Sequence, residues 1–423
     1  MSDSRTRFVL IAAIACLVGY IYVYASGRAD TPVRSDAFSY YVYLPSWLLF
    51  HDATLQAAAD ECCGGTFPFW TAIYRAPRHR WWIDSHPIGE AILIAPFFIV
   101  ADGLTRWSNL SPNGFSFYYV HAAGIAGLCY VLAGLWCLYR LLARHFSPVI
   151  VSLSLATLLA GTSLFHYATF DSTWSHAFSF ALCAALLERL DVWSPGQPRD
   201  AAAIGMIAGL LVLVRHTNVM IPIGFMIATA VSWTGIRWGE RLRAVGRAGL
   251  IACAVVSPQL WLYHAASGRW LINSYSDLGF TFASPHLAGV LWSARKGLFF
   301  YAPVLLLAVF GIATLPDGLR RWRAAAGLVL ALQTYVIASW WDWQFGASFG
   351  HRGFVDLYPV FALGLAAALA QVARYRRIRV AVAVSVALLC ALSIFQMLQY
   401  WHGVLPGSDL TWPRYREVFL KTW

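Results

Sequence analysis

The chain has 423 residues, 59% hydrophobic and only 12% charged, with a net charge of +11 and a mean hydropathy of +0.59. That composition lies outside the soluble range and points to a bilayer. The excess positive charge is mostly loop arginine, with no basic stripe interleaved with stacking aromatics, so it fits topology and anionic lipid and argues against a nucleic-acid partner.

In chain order, Arg5 and Arg7 followed by the apolar run Phe8 to Tyr24 resemble a signal peptide. Because further spans follow, the segment reads as an uncleaved anchor. A helix needs about 20 apolar residues to cross the hydrocarbon core. The candidate spans are 8–25, 116–142, 148–166, 174–190, 201–215, 218–234, 247–264, 298–315, 324–340, 354–371 and 379–398. The fold class expected is therefore an all-α polytopic membrane protein with about eleven transmembrane helices, forming a single domain over 1–423. Residues 30–115 form a long first outer loop with interfacial helices, and 399–423 a short outer tail.

Basic clusters fall in alternate loops: Arg140/Arg144, Arg189/Arg199, Arg237/Arg241/Arg243/Arg247, Arg320/Arg321/Arg323 and Arg374/Arg376/Arg377/Arg379. The positive-inside rule assigns these to the cytoplasm. The stretches Asp36–Glu90, His166–His176, Arg215–Asn218, Ser267–Lys296 and Asp342–Arg352 then share the opposite face. Five polar loops converging there suggest an active site. The apolar stretch Ile88–Leu104 would invert every later loop if it crossed. It is short and interrupted by Gly89, Glu90 and Pro96, and is read as interfacial or re-entrant on the outer side. Six cysteines lie inside apolar spans as inert small hydrophobes. The adjacent pair Cys62/Cys63 lies in the first outer loop, where neighbours bridge badly and a metal or strained-disulfide role is the lesser expectation.

Ser35 to Pro45 reads as a capped helix with Asp36 in its first turn, where the helix dipole favours a carboxylate. Tyr40 and Tyr43 follow on the same face. Asp36 suits a general base that accepts a proton from an acceptor hydroxyl late in the transfer of a sugar; the alternative is an N-cap. A lipid phosphate leaving group needs no acid, so one carboxylate and a cationic clamp suffice. Arg352 sits among glycines in Trp340-Trp-Asp-Trp-Gln-Phe-Gly-Ala-Ser-Phe-Gly-His-Arg-Gly353. A guanidinium there can bind phosphate bidentately, or pair with Asp342 or Asp356 to pin the loop. Arg295 and Lys296, one of two lysines in the chain, open the 298–315 span and suit either phosphate binding or snorkelling. Arg215 needs a partner near the membrane, which Asp171, a lipid phosphate or a helix-pinning acid would provide.

His86 could touch phosphate and Glu90 orient a base; Asp171 and His176 flank Trp174 in another outer loop. Tyr41, Trp340 and Trp341 join Tyr40 as surfaces for sugar or acceptor. The GxxxxGK[ST], HExxH and CxxC patterns are missing, so the energy must arrive in the lipid. No cofactor is required, and no ligand spacing demands a metal, although a carboxylate site can hold a divalent cation.

Taken together these residues resemble the GT-C superfamily of integral-membrane glycosyltransferases, and more narrowly bacterial relatives of dolichyl-phosphate-mannose–protein mannosyltransferases and lipid A aminoarabinose transferases. The resemblance lies in Asp36 followed by Tyr40-Tyr41, His86-Pro-Ile-Gly89, Leu213-Val-Arg-His-Thr-Asn218, Ser293 to Pro303 and Trp340 to Pro359. It implies a bacterial inner-membrane enzyme with a periplasmic site and a polyprenyl-phosphate sugar donor, of undecaprenyl type by the same resemblance. The acceptor would be a hydroxyl of a glycan, lipid or protein, and Asp36 the catalytic carboxylate. Many relatives carry Asp-Glu where this chain has Asp36-Ala37. The rival readings are a lipid-linked sugar transporter or flippase, expected to show internal symmetry and broken mid-membrane helices, and a non-catalytic scaffold.

Overall fold

The structure is a computed structural model that describes residues 2–75, 81–272 and 278–422; residues 76–80 of the first long loop and 273–277 of the Ser267–Lys296 stretch lie outside it. The described chain is helical apart from one short hairpin. In chain order the helices are α1 Ser2–Ala25, α2 Asp36–Tyr41, α3 Gln56–Cys63, α4 Gly89–Trp107, α5 Phe117–Leu142, α6 Pro148–Ala160, α7 Leu164–Thr169, α8 Ser175–Val192 and α9 Pro198–Val214. They continue as α10 Met220–Ser232, α11 Trp238–Ser267, α12 Leu287–Trp292, α13 Leu298–Tyr301, α14 Leu305–Ala313, α15 Arg323–Ser339, α16 Tyr358–Ala373, α17 Arg376–Trp401 and α18 Trp412–Val418. Strands β1 Ile73–Arg75 and β2 Trp82–Asp84 pair antiparallel with Tyr74 opposite Ile83.

Five of the described helical segments are long and apolar enough to cross a membrane: Asp3–Ala25, Phe117–Leu142, Trp238–Ser267, Arg352–Ala373 and Arg376–Trp401. The other apolar segments are helical but shorter, broken or more polar. The 148–166 segment breaks between α6 and α7 at Gly161–Ser163, and 298–315 breaks between α13 and α14. Helix α8 carries Glu188, Arg189 and Asp191 in its last turns. Helices α11 and α17 bury only 11% and 6% of their apolar windows. Side chains such as Leu250, Trp261, Val380 and Leu388 therefore stand exposed, an arrangement suited to hydrocarbon rather than water.

The bundle has two chemically distinct ends. At one, Glu188 and Asp191 at the close of α8 are almost fully buried under cations. Arg140 and Arg144 reach Glu188, while Arg144, His145 and Arg321 reach Asp191. The foot of α1 joins them through Arg5, 4.0 Å above the ring of Trp136. At the opposite end Tyr24 bonds the Phe170 carbonyl and Arg34 pairs with Asp171. Three of the basic loops thus gather at one end and the polar aromatic loops at the other.

Helix α4 starts beside the end of α9 and finishes beside the start of α5. Its first turn lies against the end of α9, where a Cβ on Gly89 would stand 2.5 Å from the Leu213 backbone. Near its last turn Asp102 accepts the Tyr119 hydroxyl from the start of α5. Ile92, Ile99, Val100, Leu104 and Trp107 form its exposed side.

Bare backbone contact sets the closest helix approaches. A Cβ on Gly127 of α5 would lie 1.6 Å from the Ser172 carbonyl oxygen, and one on Gly311 of α14 would lie 1.8 Å from that of Gly364 in α16. Small residues allow such contact where hydrocarbon offers little reason for helices to associate. Gly127→Ala is expected to lower stability by about 1–3 kcal/mol through overpacking. Gly103→Ala, with no atom within 4 Å of its Cβ, is expected to leave it unchanged or slightly raised. Thermal unfolding of the two variants in detergent, followed by the monodisperse fraction, measures the difference.

Candidate active site

Asp36 opens α2 beyond the end of α1. Ser35 takes left-handed backbone, φ 52°, and makes no side-chain cap bond, so the expected Ser35 cap is absent. What holds the Asp36 carboxylate is Arg352, whose Nη1 donates to Oδ2 at 2.7 Å across 316 residues of sequence. Arg352 starts the 3₁₀ turn Arg352–Leu357 that leads into α16. Its guanidinium lies 4.4 Å from the Trp174 ring and 5.8 Å from that of Phe345. The stack holds the guanidinium plane while leaving its edge free to bond. The buried Nε has no hydrogen-bond partner among the described residues. Neither Asp342 nor Asp356 is its partner.

Both groups face a cleft of about 270 Å³. Tyr40, Ser85, His86, Arg215, His216, Phe280, Gln333, Trp340, Trp341, Asp342 and Phe345 also line it. That is just below the usual size of a drug-sized ligand pocket, about 300–1,000 Å³, and suits a polar headgroup rather than a whole lipid. Aromatic surfaces lie beside two guanidiniums and two carboxylates. Burial alone would raise the Asp36 carboxyl, but the Arg352 guanidinium, helped by His86 and His176, holds it down at about 2.

The remaining expected residues divide sharply. His86 packs its ring 4.6 Å from Tyr40. Its backbone N–H donates to the Asp84 carboxylate at 2.8 Å, and burial pushes Asp84 up to about 6. Tyr43 fastens the same turn through the His86 carbonyl. Arg215 ends α9 and pairs at 2.8 Å with Asp356, which also takes His176 at 3.0 Å. The partner of Arg215 is thus a helix-pinning acid and not Asp171. One guanidinium nitrogen of Arg215 also approaches Ser175 at 3.3 Å.

Six expected residues do not line the cleft: His176, held on Asp356, the buried Glu90, and the four that follow. Tyr41 is buried away from the cleft, with its hydroxyl on the Gly114 carbonyl. Asp171 is held by Arg34 at 2.7 Å and His166 at 2.8 Å, and Trp401 donates to the other ring nitrogen of His166. Lys296 is buried, with Nζ donating to the Ser348 carbonyl, the Ser348 hydroxyl and the Gly407 carbonyl. An ammonium has three donors and these acceptors use all of them, so Lys296 has none left for phosphate. Arg295 pairs with Asp409. Neither Arg295 nor Lys296 lines the cleft, which removes both from the expected clamp. Cys62 and Cys63 are joined as a vicinal disulfide at the end of α3, one of the two roles held as the lesser expectation.

Sequence reasoning missed Arg34, Asp84, Gln333 and Phe280. Gln333 carried a usable signal, being the one amide within the apolar 324–340 segment. Among the described residues no cluster of three or more His, Cys, Asp or Glu is arranged to hold a metal ion. Compared with protein-family models and with curated proteins, the chain matches none.

Glu90, in the first turn of α4, is fully buried, and neither carboxyl oxygen has a hydrogen-bond partner among the described residues. Burial pushes its pKa well above the ordinary value; Arg215 opposes this and Asp36 adds to it. The favoured form is therefore the neutral acid, which glutamine mimics in charge and shape. Glu90→Gln is expected to keep stability within about 1 kcal/mol of wild type. Glu90→Lys, which buries an unpaired cation, is expected to lose several kcal/mol. Equal losses in unfolding measurements on the two variants would show that the carboxylate anion is the form required.

Proposed function

We propose that this chain is a membrane glycosyltransferase that moves a sugar from a polyprenyl-phosphate carrier to an extracytoplasmic hydroxyl acceptor. The observation that carries the reading is the meeting of Asp36 and Arg352 in an aromatic-lined cleft at the end of the bundle away from the arginine loops. Under the positive-inside rule that end faces the periplasm of a bacterial inner membrane.

In this scheme the acceptor oxygen attacks the anomeric carbon as the bond from that carbon to the phosphate oxygen breaks. The bonding pair leaves with the lipid phosphate, and the hydroxyl proton passes to the Asp36 carboxylate. Proton transfer is late, because a carboxylate is far too weak a base to ionise an alcohol beforehand. Arg352 receives the growing negative charge on the phosphate, with unused donors on a stacked guanidinium. Arg215 is the second cation, replacing the Arg295 and Lys296 expected from sequence. Trp340 and Trp341 offer ring faces to the sugar. Eleven spans in a GT-C-like arrangement remain the topology this reading assumes.

The test is breakdown of radiolabelled undecaprenyl-phosphate sugars by purified protein in detergent, with candidate hydroxyl acceptors. Asp36→Asn is expected to lose about 10²–10⁴-fold in rate, the usual contribution of a general base. Arg352→Ala is expected to lose about 10²–10³-fold, and Arg352→Lys to recover part of it, since charge persists without the fork. Full turnover by Asp36→Asn would sink the proposal, and lipid flux without covalent product would favour a transporter.

A further inference from the structure

The cleft contains two guanidiniums in different situations. Arg215 is pinned to the buried Asp356, which also holds His176, and its N–H groups reach Ser175 and His176. Arg352 makes a single hydrogen bond to an acid, from Nη1 to Asp36. The buried Nε of each guanidinium lacks a hydrogen bond among the described residues, but that of Arg215 keeps its ion-pair approach to Asp356 at 2.8 Å. Asp36 in turn has Arg352 as its one ion-pair partner among the described residues, and its side chain is 34% exposed to the cleft. The proposed base and the proposed phosphate clamp are therefore bound to each other in the unliganded molecule.

From this geometry we propose that the donor phosphate competes with Asp36 for Arg352, so that donor binding itself releases the base. The inference rests on the glycosyltransferase reading above. In the unliganded cleft the carboxylate is neutralised by the guanidinium and is a poor proton acceptor. A phosphate that draws the guanidinium toward itself removes that neutralisation and sets a second anion beside the carboxylate. Both effects favour the protonated carboxyl and so strengthen the base. The other charged and titratable groups around Asp36 include Tyr40, His86, Arg215, His216 and Asp342 of the cleft, with His176 and Glu90 behind them. His176 is anchored on Asp356, and His86 is packed on Tyr40 with its backbone tied to Asp84. Arg352 is left as the partner that a ligand can redirect. Without donor, a base kept on its clamp is also less able to activate stray water.

The experiment measures equilibrium binding of undecaprenyl phosphate, which carries the phosphate and tail but no sugar, to full-length purified protein. The proteins are wild type, Asp36→Asn, Arg352→Gln and the double variant, each checked for monodispersity. Arg352→Lys serves as a second clamp variant should the glutamine form fold poorly. Asp36→Asn is expected to bind at least about tenfold tighter than wild type, equivalent to about 1.4 kcal/mol. In the Arg352→Gln background the same Asp36 change is expected to bring a gain at least about threefold smaller, because only the repulsion between carboxylate and phosphate remains there. An equal gain in both backgrounds would mean plain charge repulsion and would overturn the proposal, as would no gain at all. Failure of undecaprenyl phosphate to bind any of the proteins would overturn the glycosyltransferase reading together with the inference. Inorganic phosphate is run in parallel: binding of that ion with no binding of the lipid would assign the cleft to a free phosphate compound and reject both. Binding of the lipid to wild type with an additive cycle would reject the inference alone.

Discussion

A carboxylate inside an apolar bundle is tolerated only with a cation against it, and the polar architecture of this chain follows from that constraint. Glu188 and Asp191 sit under Arg140, Arg144, His145 and Arg321 at one end. At the other, Asp171 has Arg34 and His166, and Asp356 has Arg215 and His176. Each of these acids has at least two partners and is nearly closed to solvent, which suits a fixed joint between elements distant in sequence. Asp36 breaks the pattern with one described partner, a third of its side chain open and a cleft in front of it. Its environment separates it from the structural acids, although all share one residue chemistry.

The same constraint explains what the sequence could reveal. Apolar runs are long and unmistakable, and each expected span contains helix; the arginine clusters at 140–144 and 320–323 mark the end at which the acids of α8 are buried. Pairing is another matter, because an ion pair between residues 36 and 352 or 215 and 356 leaves no trace in local composition. Arg352 stood out as a cation among glycines, whereas its partner Asp36 could not be read from the sequence around it. Lys296 was misjudged for the converse reason. Its rarity in the chain suggested chemistry, but three carbonyl and hydroxyl acceptors surround it. Those acceptors come from residues 348 and 407, beyond the reach of any local reading.

Helix breaks were also hard to read from hydropathy. The 148–166 stretch is apolar enough overall to read as one span, yet α6 ends at Ala160 and α7 restarts at Leu164, with Gly161, Thr162 and Ser163 between them. The Thr162 hydroxyl bonds the Leu158 carbonyl, and the Ser163 hydroxyl pairs with that of Tyr358 at 2.8 Å. Short polar side chains thus satisfy backbone and hydroxyl groups at the interruption, as buried polar groups require. The consequence reaches the cleft, since α7 brings His166 to Asp171 and Tyr358 begins α16 directly after the turn that starts with Arg352.

A fully buried carboxyl without a hydrogen-bond partner is unfavourable, yet that of Glu90 sits within the electrostatic reach of Arg215 and Asp36. As a neutral acid it adds no second negative charge to a region that, on the proposed function, must admit a phosphate anion. An ionised Glu90 would repel that anion and compete for Arg215. On that reading, burial of Glu90 at the first turn of α4 has a functional consequence as well as a structural cost. It leaves Asp36 as the principal charged carboxylate beside Arg352, and keeps the balance between clamp and base in the hands of that one pair.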